Sequence, residues 1–293
     1  MDTISRIICN DLKLRAYTVS SLQTATELTA IHETTPNATV ALGRTINAAA
    51  LLGATMKPDS PQTVSLKFFG DGPIGEVHVQ CDARGNIRGY VQNPRLDLAH
   101  DIGTISFSKS IGAGFLSVIR DLGMREPYTS TLPLLYGDVA GEVSYYLTTS
   151  EQIPSALIIA LELNSEGAIA ASGGILIQTF PDTPDHVIEE LETRIKNMAK
   201  PLGKSLLEGE DTLTILQGLF QYKDMEILEQ VPLRAQCRCN REMLQGTLQG
   251  IEENELRDMI EKDQGAEVEC TFCREKYTFS ADDLEKIISN KGH

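Results

Sequence analysis

The segments CRCN (237–240) and CTFC (270–273) contain four of the six cysteines in this chain of 293 residues. Their spacing is C-x-C, a gap of thirty residues, and then C-x-x-C. A C-x-x-C turn holds two sulfur atoms on one side of a tight knuckle, so both can reach a single tetrahedral ion. The last quarter of the sequence is therefore organised around these thiols.

The four thiols, Cys237, Cys239, Cys270 and Cys273, predict a structural zinc site. Four thiolates at about 2.3 Å suit Zn²⁺ and leave no open coordination position for catalysis. Cytosolic proteins rarely keep stable disulfides, so metal binding is the first interpretation of such a pattern. The alternatives are four unrelated reduced cysteines and an iron–sulfur cluster, for which C-x-C is an unusual spacing.

Basic residues flank both cysteine pairs, namely Arg238, Arg241, Arg274 and Lys276. A zinc ion with four thiolates is doubly negative, and nearby cations would offset that charge. Cations also favour the thiolate after metal loss, and the thiolate is the form that oxidants attack. The alternative is that these residues are ordinary surface charges.

The composition is that of a globular protein, with 41% hydrophobic and 23% charged residues. The formal net charge of −15 opposes nucleic-acid binding, which depends on Lys and Arg contacts with phosphates. No apolar run approaches eighteen residues, and residues 1–17 lack the pattern of a signal peptide. We therefore expect a cytoplasmic protein without a membrane span. Cys9 and Cys81 stand apart from the other thiols and are expected in the core.

Residues 1–180 predict a large α+β core domain. Alternating apolar residues predict a hairpin over 75–92, and an Ala- and Leu-rich stretch predicts a buried helix over 41–56. A second helix is expected over 110–123 and a strand over 173–181.

Residues 181–231 predict an amphipathic helical linker without a core of its own. The residues of its apolar stripe recur at helical spacing: Val187, Ile188, Leu191, Ile195, Met198 and Leu202. We expect this stripe to pack against the folded last module, residues 232–293. That module has few large apolar residues and needs a staple such as a metal. Within it, Ser280 and Asp283 form a capping-box pattern.

Two glycine-rich stretches resemble nucleotide-binding motifs only in part. GAGFLS (112–117) lacks the third glycine of the dinucleotide fingerprint, and FFGDGPIG (68–75) lacks the Lys-Ser/Thr of a phosphate loop. The second stretch is expected to be a turn between strands. Neither stretch predicts an enzyme.

The whole sequence resembles the heat shock protein 33 family of redox-regulated holdase chaperones. The cysteine spacing matches the C-terminal switch of that family, and several stretches match its N-terminal pattern: RAY (15–17), GRTINAAALLGATM (43–56), LKFFGDGPIG (66–75), DLGMREPYTS (121–130), SEQIPSAL (150–157) and GGILIQTFP (173–181).

This resemblance implies a cytoplasmic, ATP-independent chaperone, not an enzyme, that holds one zinc ion and is inactive when reduced. It implies that oxidation expels zinc, forms the disulfides Cys237–Cys239 and Cys270–Cys273, and unfolds the switch. The exposed surface then binds unfolding proteins, often as a homodimer.

Two other functions remain as alternatives. One is a zinc-ribbon nucleic-acid-binding protein, which the net charge opposes. The other is a thiol-disulfide oxidoreductase that uses Cys270 and Cys273. A thioredoxin-like motif belongs at a βα junction, whereas REKYTFS after Cys273 predicts a strand.

Overall fold

The computed structural model of this chain describes residues 1–96, 105–221 and 223–290. The chain is a mixed α+β structure that divides into two compact units, Met1–Gln236 and Cys237–His293. The boundary lies immediately before the first thiol of the C-terminal cluster. The finer division into a core domain, a linker and a module, at residues 180 and 231, stays a prediction.

The first unit contains a sheet in which all neighbouring strands are antiparallel. In spatial order its strands are β10 (Glu226–Pro232), β1 (Thr3–Cys9), β2 (Leu14–Ser20), β9 (Ile169–Thr179) and β8 (Ser155–Leu163). The predicted strand over 173–181 is confirmed by β9. We call this the first sheet.

The second sheet of this unit is antiparallel except at one edge, where its first two strands are parallel. Its strands, in spatial order, are β11 (Arg234–Ala235), β5 (Asn86–Val91), β4 (Glu76–Asp82), β3 (Thr63–Gly70), β6 (Gly114–Asp121) and β7 (Tyr128–Pro133). Strands β4 and β5 confirm the predicted hairpin. The glycine-rich stretch at 68–75 contains the turn between β3 and β4, as expected.

A long helix, α2 (Pro36–Ala54), packs between the two sheets and confirms the buried helix predicted over 41–56. Its small Ala and Gly side chains allow both sheets to pack closely against it. The shared core includes Val19 and Leu176 from the first sheet and Leu66 and Val79 from the second. The shorter helices of this part are α1 (Leu22–Ile31), α3 (Phe107–Ile111) and α4 (Val139–Tyr146).

The helix predicted over 110–123 is wrong, because α3 ends at Ile111 and β6 begins at Gly114. Gly112 adopts a positive φ of 71° and ends the helix. A Cβ atom on Gly114 would lie 2.0 Å from the Phe69 carbonyl oxygen, so only glycine fits there. Pairing with β3 and β7 on both sides then fixes residues 114–121 as a strand, which helical propensity alone could not anticipate.

Three helices of the predicted linker pack on the first sheet, and these are α5 (Asp185–Lys196), α6 (Leu202–Leu207) and α7 (Thr212–Leu219). Alternate residues of a strand face opposite sides of its sheet, so one face contacts α2 and the other contacts these helices. The apolar stripe packs on residues of that second face, including Ile7, Leu14, Ile175 and Ile177. The first sheet is therefore the packing partner of the stripe, and the expectation that this partner is the last module is corrected.

The second unit contains a two-stranded antiparallel sheet and three helices. In chain order these elements are α8 (Arg241–Gln249), α9 (Glu253–Asp263), β12 (Gly265–Glu269), β13 (Lys276–Ser280) and α10 (Ala281–Asn290). The capping box is confirmed, because the Ser280 N–H donates to Asp283 Oδ2 at 3.0 Å and the Asp283 N–H donates to Ser280 Oγ at 3.3 Å.

Strand β10 returns the end of the linker to the first sheet, where a buried arginine holds it. Arg6 donates from Nε to the Ala54 carbonyl at 2.8 Å and from Nη2 to the Ala83 carbonyl at 2.9 Å. Its Nη1 forms an ion pair with Glu229, which is its cross-strand neighbour on β10. A buried guanidinium needs this counter-charge, so the pair fixes the register of β10.

We expect Glu229→Ala to destabilise the first unit by about 1–3 kcal/mol, because it leaves Arg6 buried without its carboxylate. Glu226→Ala is the matched control, since Glu226 is exposed on the same strand. Urea unfolding followed by circular dichroism measures both variants. Equal stability of the two would show that the ion pair does not hold β10.

Candidate metal centre

The two cysteine pairs lie on different local structures of the second unit. Cys237 and Cys239 lie in the extended segment before α8, whose first turn is capped by the Asn240 side chain accepting from the Met243 N–H at 2.8 Å. Cys270 follows β12, and Cys273 precedes β13. The fold thus brings together two pairs that are thirty residues apart in sequence.

The C-x-x-C segment forms a tight knuckle closed by two backbone hydrogen bonds. The Arg274 N–H donates to the Cys270 carbonyl at 2.8 Å, and the Cys270 N–H donates to the Glu275 carbonyl at 2.8 Å. Arg274 adopts a positive φ of 62°, which turns the chain back toward β13. This turn leaves both sulfurs of the pair on the same side.

The four sulfur atoms all lie within 4.8 Å of one another. Cys237 Sγ is 3.8 Å from Cys270 Sγ, and Cys239 Sγ is 3.3 Å from Cys273 Sγ. A tetrahedron with metal–sulfur bonds of about 2.3 Å has sulfur–sulfur edges of about 3.8 Å. The cluster therefore has the size of a four-thiolate metal site. In the described ranges it is the one group of three or more His, Cys, Asp or Glu side chains that could hold a metal ion.

Burial makes these thiols poor acids without a cation. It raises the pKa of Cys273 well above its ordinary value, although the Glu275 N–H donates to this sulfur and lowers the pKa. Burial also raises the pKa of Cys239, against a hydrogen bond with the Tyr277 hydroxyl that lowers it. Binding a metal must therefore displace thiol protons, and metal affinity rises with pH across the neutral range.

Three of the basic residues near the cluster form ion pairs with carboxylates, which favours their interpretation as surface charges. Arg274 pairs with Glu269 at 2.8 Å, and Lys276 pairs with Glu267 at 2.7 Å. Arg241 pairs with Asp283 at 2.8 Å and lies over the ring of Phe279, 4.3 Å from its centroid. These three cations are engaged by carboxylates, so the interpretation as surface charge applies to them.

Few apolar side chains support the cluster. The buried side chains among the described residues of this unit are Leu244, Leu248, Leu256, Cys270, Phe279, Leu284 and Ile287. One of the seven is itself a member of the sulfur cluster. Small domains with so little buried apolar surface usually depend on a metal or disulfides.

Comparison with known proteins identifies the family. The model of the family described as Hsp33 protein matches residues 2–280. This chain belongs to the Hsp33 family. Among curated relatives, the 33 kDa chaperonin of Oceanobacillus iheyensis is 37% identical over 98% of this chain and 99% of the relative. That of Geobacter sp. (strain M21) is 39% identical over 98% of this chain and 97% of the relative.

A solved structure supports the same assignment. The crystal structure of the 33 kDa chaperonin (heat shock protein 33 homolog) from Thermotoga maritima superposes with a TM-score of 0.87 and 32% sequence identity. The match covers 99% of each chain. Membership of the Hsp33 family supports a chaperone function, and the relatives are named as chaperonins rather than as enzymes. No helix among the described residues is both long and apolar enough to cross a membrane.

The remaining cysteines and the contact of Tyr277 complete the description of this Hsp33 family member. Cys9 and Cys81 are fully buried in the first unit, as expected for core residues. Tyr277 was missed from the sequence, although its hydroxyl lies 3.4 Å from Cys239 Sγ. The alternation in KYTFS, which places Tyr277 and Phe279 on one face of β13, was the available signal. Cys273 leads into a hairpin strand rather than a helix, which disfavours a thioredoxin-like active site.

We expect one metal ion per chain in the reduced protein, and we expect Cys273→Ser to lose it because a hydroxyl is a poor replacement for a thiolate ligand. Cys81→Ala is the matched control, since it removes a buried thiol from the other unit. Elemental analysis of protein purified under reducing conditions measures the stoichiometry. Metal retained in full by Cys273→Ser would contradict the assignment.

Proposed function

We propose that this chain is a redox-regulated, ATP-independent holdase of the cytoplasm, which binds unfolding proteins and prevents their aggregation under oxidative stress. The observation that carries the proposal is the cluster of four sulfur atoms, within 4.8 Å of one another, in a unit with little other core. Oxidants can act directly on such a cluster. The proposed role is regulatory and not catalytic, so the chain is not an enzyme.

The proposed metal is Zn²⁺, held by Cys237, Cys239, Cys270 and Cys273. Bound zinc would supply a closed structural cross-link between the two cysteine pairs, and no reactive position. A structural zinc site in a small module contributes about 10–16 kcal/mol of apparent binding free energy, which is also folding free energy. Reduced protein should therefore have a folded second unit.

Oxidation of the four thiols would give two disulfides and release four electrons and four protons to the oxidant. The proposed bonds are Cys237–Cys239 and Cys270–Cys273, on the basis of the resemblance and the short spacings. Cys239 and Cys273 belong to different pairs, and their sulfur atoms are 3.3 Å apart. A disulfide between these two residues is therefore the competing product. Either product removes the thiolates that a metal requires.

The chain that connects the two units is proposed to transmit the loss of the metal site to the first unit. Gln236 donates its N–H to the Ile87 carbonyl at 2.9 Å, and the first thiol follows at the next residue. Strand β11 pairs with β5 through only two residues, and β10 lies at the edge of the first sheet. Unfolding of the second unit would free the residue after Gln236, and these short edge contacts are the next to separate.

The proposed client surface is the face of the first sheet together with the stripe that covers it. Clefts of about 520 Å³ and 400 Å³ border α5, so the linker helices fill the space above the sheet incompletely. Incomplete packing reduces the dispersion contacts that hold the helices down. Their separation would expose apolar residues on both partners, and extended apolar surfaces bind other proteins.

The remaining parts of the proposal concern partners. Client proteins are unfolding chains with exposed apolar segments, and the oxidised form is proposed to act as a homodimer. Exposure of two apolar faces gives each protomer a surface that a second copy can cover. The net charge of −15 keeps such a form soluble and disfavours nucleic-acid binding.

We expect oxidation combined with mild heating to turn on suppression of client aggregation, because metal loss removes most of the free energy that folds the second unit. Light scattering from a denaturing client, with reduced and oxidised protein side by side, measures the effect. Peptide mapping of the active form identifies its disulfides. Equal suppression by both forms would contradict redox control, and dominant bridges to Cys9 or Cys81 would contradict the proposed switch.

We expect Leu191→Ser to suppress aggregation even in the reduced, metal-bound protein. Leu191 is the buried residue of α5, and its loss should weaken docking of the linker on the sheet by about 2–5 kcal/mol. Glu189→Ser is the matched control, since Glu189 is exposed on the same helix. An inactive Leu191→Ser variant with α5 released in hydrogen exchange would contradict the proposal that docking of the linker masks the client surface.

A further inference from the structure

A cleft of about 740 Å³ opens in the first unit on the α2 side of the first sheet. This volume is in the range of small-molecule sites, about 300–1,000 Å³. Its residues come from β1, β2 and β10, from the C-terminal end of α2 and the four residues after it, and from Phe180. None of them belongs to the sulfur cluster or to the stripe.

The cleft is positively charged although the protein is strongly acidic. Three basic side chains border it, Arg6, Arg15 and Lys57, against a single carboxylate, Glu229. Glu229 is already paired with Arg6, and no carboxylate of the described residues forms an ion pair with Arg15 or Lys57. In a chain with a net charge of −15, such a local excess of cations calls for an anion.

Arg15 has a buried donor without an acceptor. Its Nε is inaccessible to solvent and has no hydrogen-bond partner among the described residues. A buried polar atom without a partner costs about 1–3 kcal/mol, so a site that supplies an acceptor would be favoured. Tyr17, two residues along β2 on the same face, is also buried, and its hydroxyl has no partner among the described residues.

The remaining walls of the cleft are apolar. They are formed chiefly by Ile8, Met56, Pro58, Phe180 and Leu228. Inorganic phosphate or a free carboxylate would leave these walls in contact with water. The combination of an apolar wall and a few convergent donors is typical of sites for organic ligands.

The C-terminal end of α2 borders the cleft, and its exposed carbonyls would repel an anion. Arg6 removes part of this obstacle, because its Nε donates to the carbonyl of Ala54, the last residue of the helix. Thr55 donates its hydroxyl to the Leu52 carbonyl at 2.7 Å. With these carbonyls engaged, Arg15 and Lys57 dominate the charge that a ligand meets.

We propose that this cleft binds an amphipathic organic anion, with a carboxylate or phosphate head group between Arg15, Lys57 and the Tyr17 hydroxyl, and an apolar body against Phe180 and Leu228. The head group forms an ion pair with the Arg15 guanidinium and accepts a hydrogen bond from the tyrosine. The two sources of this chemistry are a fatty-acid carboxylate and an alkyl phosphate.

Occupancy would also affect the linker, a consequence that rests on the proposed function. Phe180 immediately precedes the segment 181–231, and Leu228 lies on β10, near the C-terminal end of that segment. A ligand in contact with both residues would hold the two ends of the linker against the first sheet. It would therefore stabilise the form in which the linker is docked on the sheet, and it would oppose activation more strongly as its occupancy rises.

Isothermal titration calorimetry with the reduced, metal-bound full chain tests binding without reference to chaperone activity. The probes are octanoate, octyl phosphate, 1-octanol and inorganic phosphate. We expect saturable binding of one octanoate or one octyl phosphate per chain, and binding at least tenfold weaker for the uncharged alcohol and for inorganic phosphate. The tighter of the two anions identifies the head group.

The variant Arg15→Gln should weaken this binding roughly tenfold or more, because it replaces a charged donor by a neutral one. Arg125→Gln makes the same charge change at an exposed position outside the cleft and should leave binding unchanged. Lys57→Gln, at an exposed position, should weaken binding even if Arg15→Gln disturbs the fold.

The structural alternative is that the Arg15 guanidinium serves only Gln178, its cross-strand neighbour, whose buried Oε1 also has no partner among the described residues. In that case neither anion binds, and the proposal is overturned. Binding that is unaffected by both Arg15→Gln and Lys57→Gln would overturn it as well. An inactive chaperone that still binds octanoate at this site would refute the proposed function and leave the ligand site intact.

Discussion

The second unit depends on the approach of four sulfur atoms to within 4.8 Å of one another. Burial raises the pKa of two of these thiols, and the three neighbouring cations described above are engaged by carboxylates. The cluster therefore has the ligands of a metal site, and these three cations are held by carboxylates. Six buried apolar side chains and Cys270 form the rest of the described core, so the stability of the unit follows the state of its thiols.

The first unit is built on the opposite principle. Helix α2 is buried between two sheets, and a buried core of this size does not need a cross-link. The elements at its periphery have fewer contacts to hold them. Helices α5 to α7 cover the outer face of the first sheet beside two clefts. Strands β10 and β11 lie at sheet edges. A stable core with a cover that can detach would suit the proposed holdase, which exposes apolar surface without unfolding completely.

Local patterns in the sequence were sufficient for elements whose determinants are adjacent in the chain. The cysteine spacing predicted the candidate ligands, period-two alternation predicted the hairpin of β4 and β5, and Ser280 and Asp283 predicted their helix cap. Features that depend on distant pairing were not predictable in this way. Residues 114–121 form a strand because β3 and β7 flank them, and the partner of Arg274 follows from the geometry of β12 and β13.

We propose that loss of the thiol cluster releases the linker while the α2 core stays folded. Hydrogen exchange measured by mass spectrometry, on the reduced metal-bound protein and on the oxidised metal-free protein, tests it most directly. We expect the amides of residues 237–290 and 185–219 to lose protection on oxidation, whereas those of α2, β2 and β9 keep their protection. If oxidised protein suppresses aggregation but loses protection only in residues 237–290, release of the linker is not the cause of activity.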